Sequence, residues 1–228
     1  MNAKATPARS FDAAEIEARV APMLLRPLST TAFGLLARYL QLLSRWNQKM
    51  NLTAVRDPGV LVALHLAECL RAAQRIPAEA ETVLDFGSGA GLPGIPIQIA
   101  QPELRVTLAE SQKKKAAFLQ EVVRELGLNG SVVHAGRVED LPATAVFDLV
   151  TLRAVDKMGE ALRMAFPRIR PPQGSRRGWC MVLTSQSEVP DIASGSLGEL
   201  GANHIDWAPP EAIPGTDQRV ILLGRRVL

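Results

Sequence analysis

Apolar positions recur every three or four residues through the first eighty residues and then give way to short β-branched runs, and this change of period divides the chain. From Asp12 the spacing of Ile16, Val20, Met23 and Leu24 predicts a helix that Pro27 stops. A second helix is predicted from Ser29 or Thr30. It carries Phe33, Leu36, Leu40, Leu43 and Trp46 on one stripe and Arg38, Gln41, Arg45 and Lys49 on the other face. Asp57 and Pro58 supply an N-cap and a first-turn proline for a third helix bearing Val60, Leu61, Leu64, Leu66 and Leu70. No strand-like run precedes Thr82, so residues 1–80 are expected to form a helical extension, beginning with a loose polar tail over residues 1–10, and residues 81–228 a second domain.

Beyond Thr82 the pattern alternates. Strands are predicted at TVLDF (82–86), RVTLA (105–109), SVVHA (131–135), VFDLVTL (146–152) and WCMVLT (179–184), with helices at 93–101, 112–127 and 156–168. Such alternation is the signature of βαβ units and a mostly parallel sheet. The end differs: ANHIDWA and RVILLGRR are separated only by PPEAIPGTD, too short for a helix, which predicts an antiparallel pair at the sheet edge and seven strands in all.

Composition narrows the classes. With 47% hydrophobic and 21% charged residues over 228 positions, a disordered or fibrous chain is excluded. No apolar run approaches the ~18 residues of a membrane span, and the N-terminus lacks a secretory apolar core, so a cytoplasmic protein without a membrane partner is expected. Cys69 and Cys180 are far apart and lack ligand spacing, which predicts two buried thiols, no disulfide and no metal site. The net charge of +3 leans toward an anionic partner. Two basic clusters, Lys113 to Lys115 and Arg168, Arg170, Arg176 and Arg177, are candidates for phosphate contacts or for plain solvated faces. Aromatic residues are only 4%, too few for an extended base-stacking platform. Trp46 is expected to pack the helical extension, Asn47 and Asn51 to cap or tether the turn after it, and His65, His134 and His204 to be ordinary surface or core residues.

The chemistry concentrates in LDFGSGAGLPGIP, a strand running straight into glycines and then a helix. A dinucleotide match at Gly89, Gly91 and Gly94 starts two residues late, since the turn begins at Gly87, and Pro93 removes an N–H where a pyrophosphate would need one. No P-loop lysine follows. Asp85, directly before the loop, suits a cationic ligand without phosphate and would repel a pyrophosphate. The arrangement resembles the first motif of class I S-adenosylmethionine-dependent methyltransferases, with a tight βα turn and a capping acid as the plain alternative. Glu110, 25 residues after Asp85 at the end of the next strand, stands where nucleoside-binding folds hold ribose hydroxyls. Val138 and Glu139 resemble the adenine-contacting segment.

WNxxxNLT (Trp46 to Thr53), the helix with His65, GSGAGLPGIP, GRVEDL and LRAV (Leu152 to Val155) together resemble the bacterial small-subunit ribosomal RNA methyltransferase G family, also called glucose-inhibited division protein B. That resemblance implies a Rossmann-like methyltransferase with an N-terminal helical extension, S-adenosylmethionine as cofactor, no metal, and transfer to N7 of a guanine in 16S ribosomal RNA or the small subunit by a monomer. It implies cofactor contacts at Gly87, Leu92, Val138, Glu139 and Arg153, beside Asp85, Gly89 and Glu110 from the loop itself, and active-site arginines at Arg153 and Arg137. Departures are Leu152 where the family has Ser, Thr184 where it has Lys, and Glu68 and Cys69 where members read HxxDS. Guanine N7 carries a lone pair and no proton, so no general base is needed; LRAV, in place of the Pro-Pro-Tyr motif of amino-directed enzymes, agrees. An arginine reading such a base would use O6, with Arg153 the candidate. The alternatives are a methyltransferase for a small molecule or protein, a non-catalytic ribosome-binding module, and a dehydrogenase.

Overall fold

The computed structural model describes residues 11–53, 57–155, 157–194, 204–216 and 218–228. The tail expected over residues 1–10, the helix start expected at 156 and the first residues of ANHIDWA lie outside them.

Among the described residues three helical segments precede the sheet. Asp12 caps α1 (Ala13–Val20) by accepting the Ala14 N–H at 2.9 Å. The helix ends at Val20 rather than at Pro27, because Pro22 sits in the 3₁₀ turn Ala21–Met23 that follows. Ser29 caps α2 (Thr30–Met50), and Asn51 closes it in the left-handed conformation at φ 48°. The Asn47 side chain accepts the Thr53 N–H at 3.0 Å, tethering that turn as the sequence suggested. Asp57 caps α3 (Pro58–Val60) through the Val60 N–H at 2.8 Å. The helix then passes through a π-helical turn, Leu61–Leu66, before α4 (Ala67–Ala73). Periodicity at 3.6 residues does not reveal such a wide turn.

The remainder is β1 (Thr82–Phe86), α5 (Gly94–Ala100), β2 (Arg105–Ala109), α6 (Lys113–Leu126), β3 (Ser131–His134), β4 (Leu149–Arg153), α7 (Met158–Ala165), β5 (Trp179–Ser185), α8 (Val189–Ala193), β6 (Ile205–Trp207), β7 (Glu211–Ala212) and β8 (Arg219–Arg226). The sheet order is β3-β2-β1-β4-β5-β8-β6, parallel as far as β5 and antiparallel from there. Among the described residues eight strands form rather than seven. β6 and β7 both pair with β8, and between them Pro209 and Pro210 have no N–H to give the ladder. Residues 146–148 fall outside β4, since Phe147 bridges Ile169 and Asp148 turns its carboxylate onto Thr82.

Alternation along the strands sorts two cores. Val83, Leu149, Met181 and Ile221 face one side, where α1, α2 and α4 join α5 and α6 in a single apolar cluster. Leu84, Val150, Val182 and Leu222 face the other, under α7 and α8. The N-terminal helices are thus a layer of the same core. Trp46 packs its ring 5.7 Å from that of Phe118 on α6. Tyr39, wholly buried, donates its hydroxyl to the Ala90 carbonyl at 2.7 Å and so fastens α2 to the glycine loop after β1. Because β1 has β2 on one side and β4 on the other, the chain reverses direction beside it, and the crevice at the strands' C-terminal ends opens there.

Removing the Tyr39 hydroxyl leaves a buried carbonyl unpartnered. Tyr39→Phe is expected to lower the unfolding free energy by about 1–2 kcal/mol, measured by urea denaturation.

Candidate active site

A cavity of about 730 Å³ occupies that crevice, within the range of small-ligand sites. Its floor is the turn from Gly87 to Leu92, one wall is Glu110 to Gln112 with Lys115, and another is Arg153 to Val155. Leu52, Thr53 and His65 from the N-terminal helices and Arg219 from β8 complete it.

The turn is held by two acids. Asp85, 1% exposed, lies beneath: its Oδ1 accepts the Thr151 hydroxyl at 2.9 Å and its Oδ2 the Gly94 N–H at 3.2 Å. The Ser88 hydroxyl donates to the Asp85 carbonyl at 3.0 Å. A Cβ on residue 94 would stand 2.7 Å from that carboxylate and 2.3 Å from Leu108 Cδ2, so only glycine lets α5 start this close to β1. Burial pushes the Asp85 carboxyl up to about 6, against hydrogen bonds from Ser88, Thr151 and Gly94 and the Arg153 charge, which lower it. Glu110 closes the turn from the side, its Oε2 accepting the Gly89 N–H at 2.9 Å and its Oε1 the Gln112 N–H at 2.7 Å. Each oxygen keeps a lone pair for a ligand hydroxyl. Gly87, at φ 67°, has open space where a Cβ would project. This cradle of bare backbone edged by carboxylate fits the nucleoside and cationic methionine parts of S-adenosylmethionine and would repel a diphosphate.

Behind Arg153, Glu68 of α4 is 1% exposed and gives both oxygens to guanidinium groups. Oε2 accepts Arg153 Nε at 3.0 Å and lies 2.9 Å from its Nη2, while Oε1 accepts Arg219 Nε at 2.9 Å and Nη2 at 2.7 Å. A carboxylate this deep is tolerable only when so paired. Arg153 Nη2 also meets His65 Nδ1. Burial, then the Arg153 charge, hold His65 below the usual imidazole range, with Glu68 opposing.

The structure therefore gathers Gly87, Gly89, Leu92, Glu110 and Arg153 at one cavity and sets Asp85 under it. Val138, Glu139 and Arg137 lie at the end of β3, outside the cavity lining. Val138 is buried, and Glu139 and Arg137 are exposed. Arg137 offers its carbonyl to His134 Nε2 at 2.8 Å and its N–H to Asp140 at 3.0 Å. Lys113 and Lys114 are exposed in the first turn of α6, and Lys115 reaches the cavity. The second basic cluster is mostly consumed internally. Arg168 is buried on the carbonyls of Pro142, Leu141 and Glu139, while Arg170 and Arg176 pair with Asp148 at the opposite, N-terminal end of the central strands. Leu152 and Thr184 are core residues, the latter donating to Glu188. Both cysteines are buried free thiols. Among the described residues no cluster of His, Cys, Asp or Glu could hold a metal, and no helix is long and apolar enough to cross a membrane.

Sequence reasoning missed Glu68, Arg219 and the engaged state of His65. His65 and Glu68 are three apart on one helix, so an acid on an apolar stripe was a signal. Arg219 carried none.

A family model described as rRNA small subunit methyltransferase G (GidB) matches residues 33–176. The ribosomal RNA small subunit methyltransferase G of Stenotrophomonas maltophilia strain K279a is 46% identical over 136 residues, which is 60% of this chain and 63% of that protein. The chain thus spans just under two thirds of that relative's length. That of Xanthomonas oryzae pv. oryzae strain MAFF 311018 is 40% identical over 178 residues, covering 71% of this chain and 83% of that one. Among solved structures, a SAM dependent methyltransferase from Aquifex aeolicus superposes with a TM-score of 0.58 at 15% identity, over 78% of this chain and 97% of that one. TYW2 of P. horikoshii in complex with MeSAdo gives 0.55 at 15%, over 71% and 62%. At such identities the likeness is one of fold, and the fold is the expected Rossmann-like class I methyltransferase fold.

Because the Asp85 carboxyl is raised from 3.8 to about 6, the folded state binds its proton more tightly than the unfolded chain. Its contribution to stability is full below about pH 4 and is lost as pH rises through about 6. Between those limits the protein is expected to lose about 3 kcal/mol relative to Asp85→Asn, measured by urea unfolding across the range and by carbon NMR titration of the carboxyl.

Proposed function

The chain belongs to the rRNA small subunit methyltransferase G family, and from that premise we propose that it transfers a methyl group from S-adenosylmethionine to N7 of a guanine in 16S ribosomal RNA. The observation that carries the reading is the turn between Asp85 and Glu110, whose Gly89 and Gly94 N–H groups are tied to those carboxylates and so leave a cradle for a cationic, phosphate-free ligand.

In this reading Glu110 accepts the ribose hydroxyls, Gly87, Gly89 and Leu92 pack beneath the methionine portion, and Asp85 keeps the turn in shape from below. Val138 and Glu139, next in chain order at the strand ends, meet the adenine edge. When bound, the cofactor supplies a methyl carbon on a sulfonium; the N7 lone pair forms the new bond, the carbon–sulfur pair stays with sulfur, and no proton is released. The chain accordingly needs placement rather than a base. Arg153 supplies a fixed wall between the cofactor turn and the His65 side, since Glu68 binds two of its three nitrogens. Leu52, Leu92 and Val155 keep water from the reacting atoms.

Lys113, Lys114 and the exposed Arg137 edge the cavity end of the molecule and give salt-dependent hold on phosphates. The partner is then the small ribosomal subunit or its RNA, which puts the work in the cytoplasm, carried out by a single chain.

Small subunits from a strain lacking the gene are expected to accept one methyl per particle from labelled cofactor, mapped by mass to N7 of one guanine. Glu110→Gln is expected to weaken S-adenosylmethionine binding roughly tenfold by calorimetry. Cofactor binding without any methylated guanine would defeat the proposal.

A further inference from the structure

The wall of the cavity supplied by the N-terminal helices holds a titratable group that methyl transfer itself does not use. His65 lines the cavity, and its Nδ1 meets Arg153 Nη2. A guanidinium can only donate. The contact is therefore attractive only if Nδ1 carries a bare lone pair, which puts the single imidazole proton on Nε2. Arg153 cannot swing away, because Glu68 Oε2 grips its Nε at 3.0 Å and its Nη2 at 2.9 Å, and Glu68 is anchored in turn by Arg219 at 2.7 Å. The two ring nitrogens point apart, so Nε2 is directed away from Arg153. Among the described residues no hydrogen bond engages it.

We propose, resting on the methyltransferase reading above, that His65 selects the target base: held neutral with its proton on Nε2, it donates to the carbonyl oxygen beside the reacting ring nitrogen. Guanine presents O6 next to N7 on one edge, whereas adenine presents an amino group there, donor against donor. Neutrality matters for the chemistry, because methylation at N7 leaves a positive charge on the base that an imidazolium would oppose. As that charge develops, O6 becomes a poorer acceptor. The bond thus serves binding and choice rather than the transition state, and its loss falls on KM and not on kcat. Arg153 and Glu68 act through His65 and are positioning residues.

The test combines spectroscopy with base analogues. Nitrogen NMR of the imidazole in the wild-type protein is expected to show the Nε2–H tautomer at neutral pH. Small subunits are reconstituted with guanine or with 2-aminopurine, which keeps N7 and lacks O6, at the methylated position. The wild-type protein is expected to favour guanine by roughly tenfold or more in kcat/KM. His65→Phe should bring the two substrates within about threefold through KM, and His65→Gln, which keeps a donor, should restore part of the preference. Calorimetry with S-adenosylmethionine shows that each variant retains its cofactor site. Unchanged discrimination in both variants, or a proton found on Nδ1, overturns the assignment of His65. A wild-type protein that methylates neither substrate overturns the methyltransferase reading instead.

Discussion

The Glu68 carboxylate holds the molecule's three parts to one another. It comes from the N-terminal helical layer, and its two oxygens bind Arg153 at the end of β4 and Arg219 at the start of β8. Parallel centre, antiparallel edge and helical cover therefore meet at one buried acid. Removing such a partner leaves the Arg153 guanidinium, 10% exposed, without its acid, a loss on the order of 3–5 kcal/mol, whereas Arg219 is partly open to water. The surrounding contacts are apolar and tolerate small shifts, whereas this one has fixed directions.

The glycine turn obeys the opposite logic. Its two acids are engaged with backbone N–H groups as much as with one another's surroundings: Asp85 takes the Gly94 N–H from below and Glu110 the Gly89 N–H from the side. Asp85 is driven toward its neutral form by burial, while Glu110 faces the cavity. One carboxylate thus shapes the floor and the other lines the cavity wall.

Local chemistry is what the sequence disclosed. The strand–glycine–helix pattern, the acids at residues 85 and 110, the helix starts at Asp12 and Ser29, the cap at Asp57 and the antiparallel close all depend on local pattern, and all appear where expected. What stayed hidden depends on distance along the chain. Glu68 lies 85 residues from Arg153 and 151 from Arg219, and no spacing rule reaches so far. Arg168 looked like a phosphate contact because its charge was visible and its burial was not; three carbonyls absorb it. The extra strand β7 escaped notice because its two residues sit among prolines that read as loop.

The placement of Arg219 also orders events during synthesis. β8 follows every other described element along the chain, yet it lies between β5 and β6 in the sheet and carries one of the two guanidinium groups on Glu68. A nascent polypeptide still tethered to the ribosome before that strand emerges has its glycine turn already translated but half of the Glu68 clamp missing. The clamp that fixes Arg153 is thus completed only once β8 joins the sheet, after the glycine turn has had time to form.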